Sequence, residues 1–304
     1  MSVGNVIDRT AKTSPSASSP DQATETASCQ WLVTTDGSEH LVRFWDGEPG
    51  APVVIYLHGI EGHSRWFEPT ALFLNKQGIT VAAIDRRGAG ASKETRGDIA
   101  AYKRLVDDAD ELLCQIAQHY PGCPLFLAAN CWGAKVGIVV AGRRDIGKRL
   151  QGMVLTSPAV ATQVVVSLGT KLRIGLDYLL GGGLHYFAIP LTVQHFTDNP
   201  AYLEFIENDQ LRLTEATARF FVESLKLTRA CRQAAPLLRL PVLVMQSGRD
   251  AIVQMNGLQQ WFKSVGSSDK TLKIFTSAAH SLDFEADPTD YQGLLAQWIV
   301  ARCG

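Results

Sequence analysis

The sequence has no excess of charge of either sign. Its 29 Lys and Arg residues nearly balance its 30 Asp and Glu residues, and the formal net charge is -1. It has no basic run or stripe, so we expect no nucleic-acid partner. An acidic substrate would need a local cluster of positive charge, because the overall field is close to zero.

Long apolar runs are also absent. Residues 164–190 form the most apolar stretch, but Lys171, Arg173 and Asp177 interrupt it, so we expect no stable insertion into a membrane. The first 29 residues lack a basic segment followed by an apolar core, which argues against a secretory signal. We predict that residues 1–29 form a disordered tail and that the protein is cytoplasmic.

The six cysteines form neither a CxxC pair nor a closely spaced framework. This spacing argues against a zinc site and a disulfide scaffold. We therefore predict no metal and no organic cofactor. Most of these cysteines are expected to be buried free thiols, and Cys131 is the exception.

Strand-like and helix-like segments alternate along the chain, which predicts an α/β fold with a mostly parallel sheet flanked by helices. Continuous apolar runs predict buried strands at 52–57, 79–84, 124–128, 152–155, 241–245 and 272–275. Before them, 31–35 and 40–45 are typical of an antiparallel hairpin. Helices are predicted at 101–119, capped by Asp98, and at 288–301.

Residues 159–236 interrupt this alternation, because they contain no clear buried strand and look helical. The interval is far longer than the usual crossover of about a dozen residues. We predict an inserted helical cap at 159–236 on a core formed by 30–158 and 237–304. The alternative is a helical packing subdomain that does not contact substrate.

The run ANCWG at 129–133 joins a predicted strand to a helix predicted from Trp132 onward. A nucleophile on a tight strand-to-helix turn needs small residues two positions before and after it, and Ala129 and Gly133 meet that need. The turn also places the sulfur of Cys131 at a helix N-terminus, which favours a thiolate. We therefore predict a nucleophile here; the alternative is an ordinary buried cysteine at a strand end.

The run HGIEGHS at 58–64 follows another predicted strand. A His-Gly turn at this place lets a backbone N–H point at a substrate carbonyl oxygen. We predict that the backbone N–H groups of Ile60 and Trp132 form an oxyanion hole. His58 and Gly59 are predicted to contact substrate, with a structural hydrogen-bonding role for His58 and a plain loop at Gly59 as the alternatives.

Two further predicted strands end in QSGRD at 246–250 and TSAAH at 276–280. Both ends lie at the same sheet edge as Cys131, in the chain order nucleophile, acid, base. We predict that His280 accepts the thiol proton or pairs with a thiolate as an imidazolium. Asp250 would fix the tautomer of that ring.

These stretches, with DRRGAGAS at 85–92, resemble the α/β-hydrolase superfamily and, within it, the monoglyceride-lipase and lysophospholipase-like branch. The similarity runs from about His40 to the C-terminus and is looser in the cap, at 199–200 and 220–225. The resemblance implies an α/β-hydrolase fold with a cap and catalysis through a covalent acyl intermediate.

Cys131 departs from the branch, which ordinarily carries serine there, and Asn130 stands where the branch often has histidine. A cysteine nucleophile would form a thioester, which amines and thiols attack readily compared with water. We predict an esterase- or thioesterase-like hydrolase acting on a small apolar acyl substrate. An acyltransferase or cyclase, and a non-catalytic binding or scaffold protein, are the alternatives.

Apolar and aromatic side chains of the predicted cap favour an acyl chain as the bound group. The predicted contacts are Leu184, Phe187 and Phe220, supported by Leu179, Leu180, Tyr186, Phe205 and Phe221. The alternative is that these side chains only pack the cap on the core, as apolar residues in helices usually do.

Overall fold

A computed structural model describes residues 27–303. The strands are β1 (Ser28–Val33), β2 (Glu39–Trp45), β3 (Val53–Leu57), β4 (Thr80–Ile84), β5 (Leu125–Asn130), β6 (Leu150–Thr156), β7 (Tyr186–Ala188), β8 (Glu215–Thr217), β9 (Val242–Ser247) and β10 (Lys270–Phe275). The α-helices are α1 (Glu68–Lys76), α2 (Tyr102–His119), α3 (Gly133–Ala141), α4 (Arg144–Gly147), α5 (Leu168–Leu180), α6 (Pro200–Glu207), α7 (Ala218–Ala234), α8 (Met255–Ser264) and α9 (Thr289–Val300).

A central sheet of eight strands runs in the order β1-β2-β4-β3-β5-β6-β9-β10. The β1–β2 and β2–β4 pairs are antiparallel and the remaining pairs are parallel. The predicted N-terminal hairpin and the mostly parallel sheet are therefore confirmed. Because the parallel strands share one direction, β3, β5, β9 and β10 bring their carboxyl ends to one edge.

Strands β3, β5 and β9 are buried at nearly every position because both faces of the sheet are covered. Ile55 and Leu127 point into the cluster that contains α2 and α3, whereas Tyr56 and Phe126 point into the cluster on the opposite face, which contains α9. This two-sided burial explains why the sequence shows continuous apolar runs here rather than strict alternation.

Helix α2 buries the predicted apolar face, including Leu105 and Leu112. Asp98 does not cap this helix, because its carboxylate binds the Thr217 hydroxyl at 2.7 Å and pairs with Arg219. Both partners lie far along the chain, so local spacing could not reveal them. Asp98 thus joins the loop before α2 to the start of α7.

The segment between β6 and β9 is not purely helical. It contains α5, α6 and α7, but also a small antiparallel sheet formed by β7 and β8. Strands of three residues are too short to show a sequence period. The division of the chain at 159 and 236 stays a prediction.

The predicted tail at 1–29 falls largely outside the described residues. Its last residues do not fit the prediction, since Ser28 and Cys29 pair with β2 as the start of β1. None of the helices between residues 27 and 303 combines the length and the apolar character needed to cross a membrane.

Candidate active site

Cys131 occupies a sharp turn between β5 and α3, with a backbone φ of 49°. A left-handed backbone is strained for a residue with a side chain, and such strain is typical of functional sites. At Gly133 an added Cβ would stand 2.2 Å from the backbone oxygen of His58, so only glycine fits there. The requirement for small neighbours therefore has a direct steric cause.

His280 and Asp250 form a hydrogen-bonded pair beside this turn. The Nδ1 atom of His280 lies 2.8 Å from both carboxylate oxygens of Asp250. Asp250 also accepts backbone N–H groups from Ile252 and Val253, each at 2.8 Å. Burial raises the pKa of Asp250, but the charge of His280 and these hydrogen bonds outweigh it and hold the pKa below its ordinary value.

The second ring nitrogen of His280, Nε2, is buried and has no hydrogen-bond partner in the part of the chain that the structure describes. Burial lowers the pKa of His280, but the charges of Asp250 and Cys131 and the hydrogen bond to Asp250 raise it, to about 10. The structure thus brings the three predicted side chains together, with Nε2 left available to the sulfur.

Gly59 lies directly against Cys131. An added Cβ at Gly59 would stand 3.0 Å from Oδ1 of Asn130 and 3.8 Å from Sγ of Cys131. Within residues 27–303, the backbone N–H groups of Ile60 and Trp132 donate no hydrogen bond to the protein. Both N–H groups are therefore available next to the sulfur.

Both ring nitrogens of His58 form hydrogen bonds within the protein. Its Nδ1 donates to the Gly59 carbonyl at 2.8 Å, and Nε2 accepts the Arg86 backbone N–H at 3.1 Å. Burial, reinforced by the charge of Arg86, lowers the pKa of His58 to about 3, so the ring is neutral. These two hydrogen bonds favour the structural alternative for His58, and its contact with substrate stays a prediction.

This arrangement also orients a backbone group. The Gly59 carbonyl and the Ile60 N–H belong to one planar peptide unit and point in opposite directions. By binding the carbonyl, His58 holds the N–H of Ile60 in place.

Arg86 is a site residue that sequence reasoning missed. Its guanidinium donates to the Ile60 carbonyl at 2.7 Å and lies 4.8 Å from the ring centroid of Trp132. One buried side chain thus contacts both residues whose N–H groups flank the sulfur. The motif at 85–92 signalled the loop, but it did not show where the arginine points.

Ser157 and Ser247 were also missed, and they hold the backbone of His280. Their hydroxyl groups donate to the His280 carbonyl at 2.7 Å and 3.1 Å. Ser157 has a φ of 42° and, like Cys131, adopts a left-handed backbone without being glycine. A strained serine at a strand end has no recognisable sequence signal.

The three cap residues that were predicted to contact substrate differ in burial and in packing. Phe220 is fully buried and stacks on Trp132, with ring centroids 5.3 Å apart. Phe187 is half-buried and packs under the guanidinium of Arg173. Leu184 is 56% exposed and is therefore not held against the site in this structure.

Among the described residues, no group of three or more His, Cys, Asp or Glu side chains is placed to hold a metal ion. A thiol, an imidazole and a carboxylate stand at the carboxyl edge of a parallel sheet, which is where this fold places its reacting groups.

The sheet order and the arrangement of these groups define an α/β-hydrolase fold. More specifically, the chain belongs to the family described as "Serine aminopeptidase, S33", whose profile matches residues 48–287. This membership confirms the predicted fold and the predicted hydrolase class.

Relatives support the same branch, and a solved structure shares the fold. The chain is 28% identical over 284 residues to "Monoglyceride lipase" of Homo sapiens, covering 89% of this chain and 90% of that protein. It is 25% identical to "Phospholipase YtpA" of Bacillus subtilis (strain 168), covering 81% and 94%. A soluble variant of monoglyceride lipase from Saccharomyces cerevisiae, solved with a substrate analog, shares the fold with a TM-score of 0.82 at 18% identity, covering 95% and 100%. The resemblance to the monoglyceride-lipase branch is thereby confirmed.

Proposed function

We propose that the protein is an esterase- or thioesterase-like hydrolase that forms a thioester between an apolar acyl group and Cys131. The contact that supports this most is the His280–Asp250 pair, at 2.8 Å, beside a cysteine with a left-handed backbone. In this proposal Cys131 is the nucleophile, His280 the proton carrier and Asp250 the group that fixes the ring.

Acylation begins when Sγ of Cys131 attacks the carbonyl carbon of the ester. The carbonyl oxygen becomes an oxyanion and accepts the backbone N–H groups of Ile60 and Trp132, which are otherwise unused. The carbon–oxygen bond then breaks, and His280 gives its Nε2 proton to the departing alkoxide. The products of this half-reaction are an alcohol and the thioester.

Deacylation uses the same groups in reverse. Water loses a proton to Nε2 of His280 as its oxygen attacks the thioester carbon. The carbon–sulfur bond breaks, the acid leaves and the thiolate–imidazolium pair returns. Asp250 keeps Nδ1 as a donor throughout, so Nε2 always faces the reaction.

The substrate class follows from the relatives and from the surroundings of the sulfur. Monoglyceride lipases and a phospholipase are named among the relatives, so we propose a glycerol ester with a single acyl chain. Phe220 and Trp132 supply apolar surface beside the site. Cys131 is only 2% exposed, so a substrate must displace covering side chains to reach it.

Intact-mass spectrometry during turnover of p-nitrophenyl acyl esters tests this proposal. We expect release of p-nitrophenol and one acyl adduct that maps to Cys131. Cys131→Ala should remove both signals, whereas Cys231→Ala, at another buried cysteine, should retain them. Absence of release and of an adduct in the unaltered protein would favour a binding or scaffold role.

Acyl transfer to an acceptor other than water is the second candidate, and the cysteine at position 131 favours it. Thioesters react readily with amines and thiols, and a buried sulfur limits the access of water. Adding an amine or a thiol during turnover distinguishes the two. Predominant formation of the acyl amide or the new thioester would support a transferase, and free acid as the main product would support a hydrolase.

A further inference from the structure

Arg86 places a buried cation beside the two residues that flank the sulfur. It follows β4 by two positions and is only 9% exposed. In the part of the chain that the structure describes, its guanidinium donates to carbonyl oxygens rather than to carboxylates, with Nη2 bound to Ile60 at 2.7 Å and Nη1 to Arg87 at 3.3 Å. A buried cation without a counter-charge costs free energy. The fold therefore keeps this group here at the expense of stability.

The cation lies over two aromatic rings that belong to different parts of the chain. The guanidinium carbon is 4.8 Å from the ring centroid of Trp132 and 5.5 Å from that of Phe220 on α7. The negative faces of aromatic rings attract a cation at such distances. Burial, reinforced by the charge of Arg96, lowers the pKa of Arg86 to about 9, so the group still carries its charge at neutral pH.

Arg86 also holds the backbone on both sides of Ile60. Its own N–H donates to Nε2 of His58 at 3.1 Å, and Nδ1 of the same ring donates to the Gly59 carbonyl at 2.8 Å. Its side chain binds the Ile60 carbonyl. Each peptide unit is planar, so fixing the carbonyls of Gly59 and Ile60 fixes the direction of the N–H between them.

Trp132, the second residue with a free N–H, is held by its ring. Its Nε1 donates to Oγ of Ser224 on α7 at 2.8 Å, and the ring stacks on Phe220 at 5.3 Å between centroids. Arg86 contacts the same ring. Trp132 joins Cys131 to α3, so a fixed ring limits the movement of the backbone that carries its N–H.

We propose that Arg86 is a positioning residue that holds the backbone N–H groups of Ile60 and Trp132 in the geometry that binds an oxyanion. The inference rests on the proposed function, because it assumes that an oxyanion forms next to Cys131. Arg86 acts through the two residues that it contacts, by a hydrogen bond on one side and a cation–π contact on the other.

An alkyl trifluoromethyl ketone probes the oxyanion-binding geometry. The sulfur of Cys131 bonds to the carbonyl carbon, the carbonyl oxygen takes the π electron pair and becomes an oxyanion, and no group leaves. Losing one oxyanion donor costs about 10²-fold or more, so we expect Arg86→Met to weaken ketone inhibition by roughly 10-fold or more. With p-nitrophenyl esters kcat should fall similarly while KM stays within about twofold, because the oxyanion forms only in the transition state.

Alkylation of Cys131 by iodoacetamide is the matched reaction without an oxyanion, since the sulfur displaces iodide directly. Its rate, followed by mass spectrometry at Cys131, should be the same in Arg86→Met and in the unaltered protein. Arg86→Lys keeps a cation that can donate to the Ile60 carbonyl, so it should recover part of the ketone affinity. Arg86→Gln replaces Arg86→Met if that variant does not fold.

Arg96→Met is the control for general damage to the loop. Arg96 donates to the carbonyls of Gly90 and Leu211 at 3.1 Å and 2.5 Å, and neither bond reaches Ile60 or Trp132. This variant should lower the thermal unfolding midpoint and leave ketone inhibition unchanged.

Unchanged ketone inhibition in the folded Arg86 variant would overturn the inference and leave the proposed function. An equal loss in Arg96→Met, or a parallel fall in the alkylation rate, would also overturn it, because the effect would then lie in the loop or in the sulfur. An unaltered protein that neither hydrolyses esters nor forms the ketone adduct would overturn the proposed function and the inference with it.

Discussion

The carboxylate of Glu61 accepts a hydrogen bond from Nε of Arg212 at 2.7 Å, and the Leu213 N–H donates to the Glu61 carbonyl at 2.9 Å. These contacts fasten the segment before β8 to the loop that carries Ile60. The second carboxylate oxygen, Oε1, is buried without a partner among residues 27–303. Burial raises the pKa of Glu61 to about 7, although Arg212 lowers it.

The raised pKa of Glu61 makes stability depend on pH. An acid whose pKa is higher in the folded state stabilises the fold while it is protonated. For Glu61 this stabilisation is complete below the unfolded pKa of roughly 4.3 and is lost as pH rises through about 7. Glu61→Gln cannot ionise and keeps an oxygen for Arg212. We expect it to gain stability relative to the unaltered protein between about pH 5 and about pH 8, by at most roughly 3 kcal/mol. Urea unfolding at both pH values checks this, and a pH-independent difference would contradict it.

Asp250→Asn should change the charge of His280 while keeping a hydrogen-bond partner. Burial lowers the pKa of His280 and the carboxylate of Asp250 is the largest influence that raises it, so we expect the pKa to fall from about 10. The asparagine can also present an N–H to the ring and favour the wrong tautomer, so kcat/KM should fall by roughly 10³-fold or more. NMR titration of the ring tests the first effect and ester hydrolysis the second. An unmoved ring titration would show that Asp250 does not control His280.

Gly59→Ala should weaken turnover more than folding. The new Cβ would stand 3.0 Å from Oδ1 of Asn130 and 3.2 Å from Cβ of Cys131, which forces the loop away from the sulfur. Displacing one oxyanion donor costs about 10²-fold or more in kcat. Steady-state ester hydrolysis measures the loss.

Gly293→Ala in α9 is the control for that substitution, because a Cβ there meets nothing within 4 Å. It should leave turnover unchanged and gain up to about 1 kcal/mol of stability from helix propensity. Equal turnover in the two alanine variants would remove the basis for an oxyanion role of Ile60.

The sequence predicted the parts of the fold that depend on local pattern. Strands β3 and β4 are buried at every position and mostly apolar because both faces of the sheet are covered, and that pattern is visible in the chain. Cys131, Asp250 and His280 could be placed together because the carboxyl ends of parallel strands share an edge. Each of these predictions needed only the pattern of apolar residues along the chain and the direction of the strands.

The sequence did not predict those site residues whose roles depend on contacts that form only in the folded chain. Arg86 reads as an ordinary polar loop residue, and only the folded chain brings its guanidinium to the Ile60 carbonyl and the Trp132 ring. Leu179 and Leu180 read as site-facing apolar residues, yet they are 78% and 80% exposed. Apolar composition alone does not show whether a side chain points toward the site or toward solvent. That requires knowing which face of the helix is covered.

Ser157 offers a prediction that separates backbone strain from a lost hydrogen bond. Ser157→Ala removes a buried donor to the His280 carbonyl, which keeps the Ser247 hydroxyl, so we expect a loss of about 1 kcal/mol. Ser157→Gly loses the same donor but adopts a φ of 42° without strain. The glycine variant should therefore be the more stable of the two, by roughly 1 kcal/mol, in urea unfolding. A glycine variant less stable than the alanine variant would show that the left-handed backbone at Ser157 is not strained.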